Sequence, residues 1–261
     1  MATKKKKRRK SSGRRRKRWT WSRVRNIALT VLFVILLWRL ISPSTLSAIL
    51  SWTGITSSFT TGGYDGIDVS KHNGKIDWKK VSSDPNIKFV YVKASEGGTL
   101  GDSRYEQNVK EARRHGLKVG SYHFFTSRRT AKEQFENFRK RVKKSEQDLV
   151  PMLDVEAKGN RGCTRSKLQA SVKELMELMK AEYGQYPILY SGHDFYNTYL
   201  APEFNHYYLF LARYGGSKPE VKGEGFWNIW QYSETGHIDG IKGKVDLNRF
   251  APATSIRDIR Y

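Results

Sequence analysis

Asp154 and Glu156 stand two residues apart at the end of the apolar run Leu149-Val150-Pro151-Met152-Leu153. In an extended strand successive side chains alternate between faces, so the two carboxyls share one face while Leu153 and Val155 fill the other. Like charges held side by side disfavour double ionisation, which raises the pKa of at least one of them. The pair then offers a proton donor beside an ionised partner, the equipment of glycoside hydrolysis. An isolated D-x-E equally describes an exposed strand end that carries two acids. Other polar groups brought to the same place would separate the two cases.

Asp68, in Gly66-Ile67-Asp68-Val69-Ser70, and Asp246, in Lys244-Val245-Asp246-Leu247-Asn248, are acids embedded in apolar strand-like sequence. Such groups are costly there unless paired or functional. Residues suited to stacking on sugar rings and bonding their hydroxyls recur beside them: Tyr122 and His123, Tyr190, Tyr214, and Trp230 with Tyr232. Glu96 either joins the rim of such a cleft or caps a loop.

The elements that must position these groups follow from periodicity. Strand candidates are 66–70, 88–95, 118–125, 149–155, 186–191, 207–213, 225–231 and 243–247. Helix candidates are 77–81, 102–115, 130–145, 164–183 and a short 194–200. In the longest, Leu168, Val172, Leu175, Met176 and Met179 fall on one face, opposite Lys173, Glu174 and Lys180. Four strand–helix alternations in the first half predict a parallel sheet, and little helix separates the last three strands. The predicted class is α/β: a modified, irregular (β/α) TIM-like barrel with fewer helices than strands. Acids in the first, fourth and eighth strands can converge at its mouth.

Ahead of this domain the composition changes. Lys and Arg total 48 against 25 Asp and Glu, a formal charge of +23. Residues 1–25 hold 14 of the basic residues and no acid, whereas the chain from Gly62 onward carries +8. The basic runs Lys4–Lys10 and Arg14–Arg18 lack interleaved stacking residues and the tail directly precedes an apolar stretch, so it is expected to fix membrane orientation rather than to bind nucleic acid. The uninterrupted run 27–38 is short for a span, but continuing to Leu50 reaches about 20 residues, with Arg39 snorkelling. A single transmembrane helix is therefore expected before the barrel. It would be an uncleaved signal anchor rather than a cleaved signal peptide, since no A-x-A site follows. The expected organisation is a cytoplasmic tail (1–25), an anchor (26–52), a linker (53–63) and an extracytoplasmic catalytic domain (64–261). Cys163 is the one cysteine, so the core must hold without an intramolecular disulfide.

Taken in order, G-I-D-V-S, V-K-A-S-E-G, G-S-Y-H-F, P-M-L-D-V-E, L-Y-S-G, W-Q-Y-S and V-D-L-N resemble glycoside hydrolase family 25, the lysozyme-type muramidases of bacteria and phages. The resemblance runs from about Tyr64 to Phe250. It implies a modified β/α barrel that cleaves the β-1,4 bond between N-acetylmuramic acid and N-acetylglucosamine. It also implies that Glu156 is the general acid and that Asp68, Asp154 and Asp246 are the other active-site carboxylates. The basic tail and anchor depart from the usual secreted form. The expected partners are peptidoglycan strands and the membrane, with no nucleic acid, no cofactor, no metal and a monomeric catalytic domain.

Two rival functions fit parts of the sequence. A non-catalytic glycan-binding module could use the aromatic residues but has no need of four acids. A metal-dependent deacetylase needs an Asp/His ligand set, and the six histidines show neither H-x-x-x-H nor H-E-x-x-H spacing, leaving Asp68 with His123. Stereochemistry follows from crowding. Inverting enzymes separate their carboxyls by roughly 6.5–9.5 Å to admit a water, and two carboxyls two positions apart on one strand are too crowded to place an acid and a water-activating base on opposite sides of a sugar ring. Retention assisted by the substrate's own 2-acetamido group is expected. Glu156 would act as acid, Asp154 would steady the acetamido group, and Asp68 or Asp246 could take the place of Asp154.

Overall fold

The computed structural model describes residues 63–261. The expected tail, anchor and nearly all of the linker lie outside the described residues. Among the described residues no helix is long and apolar enough to cross a membrane.

Eight strands close into a barrel: β1 (Gly66–Val69), β2 (Phe89–Glu96), β4 (Lys118–Phe124), β5 (Met152–Asp154), β6 (Ile188–Gly192), β7 (Leu209–Ala212), β8 (Ile229–Gly236) and β9 (Val245–Phe250). The short β3 (Leu100–Gly101) pairs on the outer edge of β2. The β1–β2 pairing closes the ring, and neighbours are parallel from β1 through β8. β9 is antiparallel to both β8 and β1. The helices are α1 (Trp78–Val81), α2 (Tyr105–Arg114), α3 (Ala131–Arg139), α4 (Arg165–Tyr183) and α5 (His193–Phe195), which runs into one π turn at Tyr196–Leu200. No helix follows β7 or β8, the irregularity expected from the sequence.

α1, α3 and α4 start where a side chain satisfies a free amide, Asp77 doing so for α1. Thr130 and Glu133 form a reciprocal capping box at α3, and Thr164 caps α4. Gly184 ends α4 in a left-handed turn at φ 83°, a conformation that favours glycine. α3 stops at Arg139, six residues before the expected end, and a 3₁₀ turn at Lys144–Glu146 follows.

Strand alternation sorts the core into two layers. Val90, Val92, Val119, Leu153, Leu189 and Leu211 face outward beneath the helices. Phe89, Tyr91, Met152, Ile188, Phe210 and Ile229 face inward and fill the barrel. Two inward glycines make room for that filling: a Cβ on Gly66 would lie 2.6 Å from the Phe89 ring, and one on Gly120 2.4 Å from the Tyr91 ring. The lower interior is therefore a solid floor, on which the mouth is built.

Candidate active site

The mouth is where inward positions turn polar. Asp154 ends β5 and is buried. Glu156 lies just past the strand, yet its backbone stays extended (φ −123°, ψ 163°), so the alternation carries through and both carboxyls reach the same side. Each carboxyl acts on the titration of the other. Burial is the main cause that raises both pKa values, followed by the charge of Glu156 at Asp154 and of Asp68 at Glu156. Asp154 Oδ1 is buried with no hydrogen-bond partner among the described residues.

Asp68 and Asp246 form a second pair. They are register partners on antiparallel β1 and β9, which places them side by side on one face. Because β9 runs against the other strands, its beginning lies at the mouth, and Asp246 joins the rim from a strand start. Gln231 Nε2 and Asn248 Nδ2 donate to Asp68 Oδ2 at 2.8 and 2.9 Å. These bonds oppose the desolvation that raises the pKa of Asp68. Asp246 is pushed up to about 8, first by burial and then by the charge of Asp68. Asp68 is accordingly the ionised member and Asp246 the proton carrier. With all four pKa values raised, the carboxyls share the mouth at less cost than four full charges would carry.

A hydroxyl–amide chain holds Asp68 in place. Tyr190 Oη and Tyr214 Oη both donate to Gln231 Oε1, at 2.8 and 2.6 Å. Since Oε1 accepts from both tyrosines, Nε2 must face the carboxylate. Tyr122 is buried beside the four acids, with the charges of Asp68, Asp154 and Asp246 acting on its hydroxyl. Tyr214 stays 44% exposed at the edge, where an aromatic face is open to a ligand.

Three expected cleft residues lie elsewhere. His123 points out of the barrel toward α3: Ser95 Oγ is 2.8 Å from Nδ1, Gln134 Oε1 is 3.3 Å from Nε2, and Phe138 packs edge-on. Burial lowers its pKa to about 4, so it is a neutral wall residue. Trp230 and Tyr232 sit on the outer face of the β8–β9 hairpin, with the Arg249 guanidinium over both rings and Trp230 Nε1 donating to Arg213 O at 2.8 Å. In both segments strict alternation allows only one of two neighbours to face inward, Tyr122 rather than His123, and Gln231 rather than Trp230 or Tyr232. The Asp68–His123 ligand pair of a deacetylase is thereby separated across the barrel wall. Among the described residues no group of three or more His, Cys, Asp or Glu could hold a metal ion.

Glu96 belongs to the rim. A bulge between Lys93 and Ser95 shifts the register of β2 against β4, so that Lys93 and Glu96 face the mouth beside Tyr122 and Phe124. Lys93 Nζ lies 2.8 Å from Glu96 Oε2 and 4.7 Å from the centre of the Phe124 ring. Lys93, Gln231 and Asn248 are functional-site residues that the residue types alone did not single out. The signal for Lys93 was its place two residues after inward Tyr91 in an otherwise apolar strand.

Comparison with known proteins gives a consistent picture. The family model described as "Glycosyl hydrolases family 25" matches residues 67–241, more than half of the chain. Lysozyme M1 of Streptomyces globisporus is 30% identical over 204 residues, covering 73% of this chain and 68% of that protein. The uncharacterized protein YegX of Escherichia coli K12 is 36% identical over 189 residues, covering 71% and 68%. Among solved structures, the bacterial lysozyme from Streptomyces coelicolor superposes with a TM-score of 0.68 at 28% identity, covering 76% of this chain and 95% of that one. A family 25 glycosyl hydrolase from Bacillus anthracis gives 0.66 at 31% identity, covering 72% and 89%.

Proposed function

The chain belongs to glycosyl hydrolase family 25 and is a glycoside hydrolase; from the geometry of its mouth we propose that it cleaves peptidoglycan between N-acetylmuramic acid and N-acetylglucosamine, retaining configuration with help from the substrate's acetamido group. The observation that carries the mechanism is Asp154 Oδ1, a buried carboxyl oxygen with no hydrogen-bond partner among the described residues. Such an atom costs stability unless a ligand donor satisfies it, and an acetamido N–H bound there would be oriented for attack through its carbonyl oxygen.

The steps divide among this chain's residues. Glu156, half-buried and raised in pKa, donates its proton to the leaving glycosidic oxygen. The acetamido oxygen closes on the anomeric carbon from the other face, and Asp154 stabilises the positive charge that develops on its nitrogen. Glu156, now ionised, takes a proton from the water that opens this intermediate. Asp68, fixed by Gln231 and Asn248, supplies negative charge near the oxocarbenium-like centre. Tyr122, Tyr190 and Tyr214 shape the sugar site.

Digestion of purified peptidoglycan by the full-length protein, followed by mass spectrometry, tests the bond cleaved. New reducing-end muramic acid is expected. Reducing-end glucosamine would make the protein a glucosaminidase, and an unchanged polymer would leave a binding module. Proton NMR of the first-formed product tests the mechanism: the β-anomer is expected, and de-N-acetylated substrate should resist cleavage. An initial α-anomer would overturn acetamido participation.

We also propose that residues 26–52 anchor the chain in a membrane with the tail cytoplasmic and the barrel outside. The support is the clustering of 14 basic residues before Ile27. Protease added to spheroplasts should digest the barrel and spare the tail. A protected barrel would contradict this topology.

A further inference from the structure

Lys93 is the feature of the mouth that hydrolysis itself does not use. A lysine on an inward strand position, half-buried, needs a reason to be there. Its ammonium is held from two sides, by Glu96 Oε2 at 2.8 Å and by the face of the Phe124 ring at 4.7 Å. The bulge after Lys93 is what makes the first contact possible. In a regular strand residues three apart point to opposite faces, and the extra residue turns Glu96 back to the face of Lys93.

The surroundings of this ion pair are almost entirely acidic or neutral. Phe124, whose ring lies under the ammonium, is the register partner of Asp154 on β5, and the charge of Lys93 acts on both Asp154 and Glu156. Asp68 on β1 acts on the same two acids, and Asp246 on β9 lies within the field of Asp68, Glu156 and Glu234. Tyr122 on β4 and Tyr190 on β6 complete the wall, each within the field of the acids. His123 lies behind β4 and is neutral above about pH 4. Lys158, in the turn after β5, acts on Glu156. The charge of Lys93 acts on both members of the Asp154–Glu156 pair.

We propose that Glu96 is a positioning residue: through its ion pair it holds the Lys93 ammonium over the Phe124 ring, on the strand next to Asp154, and thereby sets the pH window in which the Asp154–Glu156 pair carries a single proton. Below the window both carboxyls are protonated and Asp154 cannot stabilise positive charge. Above it both are ionised and no acid remains. The ammonium favours the ionised forms and draws the window down toward neutral pH. Glu96 partly neutralises it and limits how far the window falls. The inference deepens the glycosidase proposal and rests on it for the meaning of the window.

The two charges act in opposite senses, which gives the test its signature. In the full-length protein, Lys93→Met should move both limbs of the kcat/KM–pH profile on peptidoglycan upward by about one unit. Glu96→Gln should move both downward by about half a unit, and Lys93→Arg should keep the parent window. A merely structural role would lower the profile without displacing it. Carbon-13 NMR titration of the labelled Asp and Glu carboxyls reads the same shifts without substrate, so it decides the point even if peptidoglycan is not cleaved. If Lys93→Met does not fold, Glu96→Gln with Lys93→Arg still gives the downward shift and its charge-conserving control. Unmoved limbs, or shifts of the same sign from Lys93→Met and Glu96→Gln, would overturn the proposal.

Discussion

The two ends of the barrel interior use the same inward strand positions for opposite purposes. At the lower end, Phe89, Tyr91, Met152, Ile188, Phe210 and Ile229 interlock as a floor, and the one polar tip there, Tyr91 Oη, donates to Val150 O at 3.0 Å. Two residues further along β2, β5 and β8 stand Lys93, Asp154 and Gln231, and Asp68 stands two beyond inward Gly66 on β1. There burial raises the pKa values of the acids, and buried acceptors on Asp154 and Asn248 lack partners among the described residues. The floor gains free energy from burial, while the mouth gives some up to keep groups poised. The contrast shows how one strand can serve stability and chemistry in succession, with the phase of alternation fixed by the floor and inherited by the mouth.

Substitutions at each end should separate these roles. Phe210 is fully buried between Tyr91 and Tyr190. Phe210→Ala should cost about 3–5 kcal/mol in chemical denaturation, and a loss below about 1 kcal/mol would show that the floor is not close-packed. Asp246→Asn should do the reverse. The folded-state pKa of Asp246, about 8, lies above its ordinary value of 3.8. Its favourable contribution is therefore full below about pH 4 and is lost as pH rises through about 8. The variant should match the parent near pH 4 and be more stable at pH 8 by roughly 2 kcal/mol, part of the shift being mutual with Asp68. Equal stability at pH 8 would mean that the Asp68–Asp246 pair is not strained. Tyr214→Phe removes one of two hydroxyls on Gln231. About 1 kcal/mol, roughly fivefold in kcat/KM, is expected, with no change in the denaturation midpoint.

The floor and the carboxyls were legible in the sequence because both obey strand period and length. Eight strands, the closed barrel and the helix-poor final third follow from apolar runs and the gaps between them. The amides were harder to see. Gln231 lies between Trp230 and Tyr232, and the larger aromatic residues drew the functional assignment although alternation sends them outward. His123 was assigned to the cleft by residue type, whereas its inward neighbour Tyr122 had already taken that face. The Lys93–Glu96 contact could not be read at all, since it depends on a bulge that changes the strand phase. Asp246 was found for an incomplete reason: its place at the mouth comes from the antiparallel direction of β9, and local sequence does not state direction.

The account stands most directly on Glu156 as the proton donor of this mouth. The measurement is release of reducing ends from purified peptidoglycan by Glu156→Gln beside the parent protein, with circular dichroism and denaturation midpoint recorded on both. The substitution keeps shape and removes the transferable proton, so cleavage should fall by ~10²–10⁴ while the fold and midpoint stay as they were. Parent-like turnover by the folded variant would contradict the assignment of the acid and, with it, the division of labour between mouth and floor.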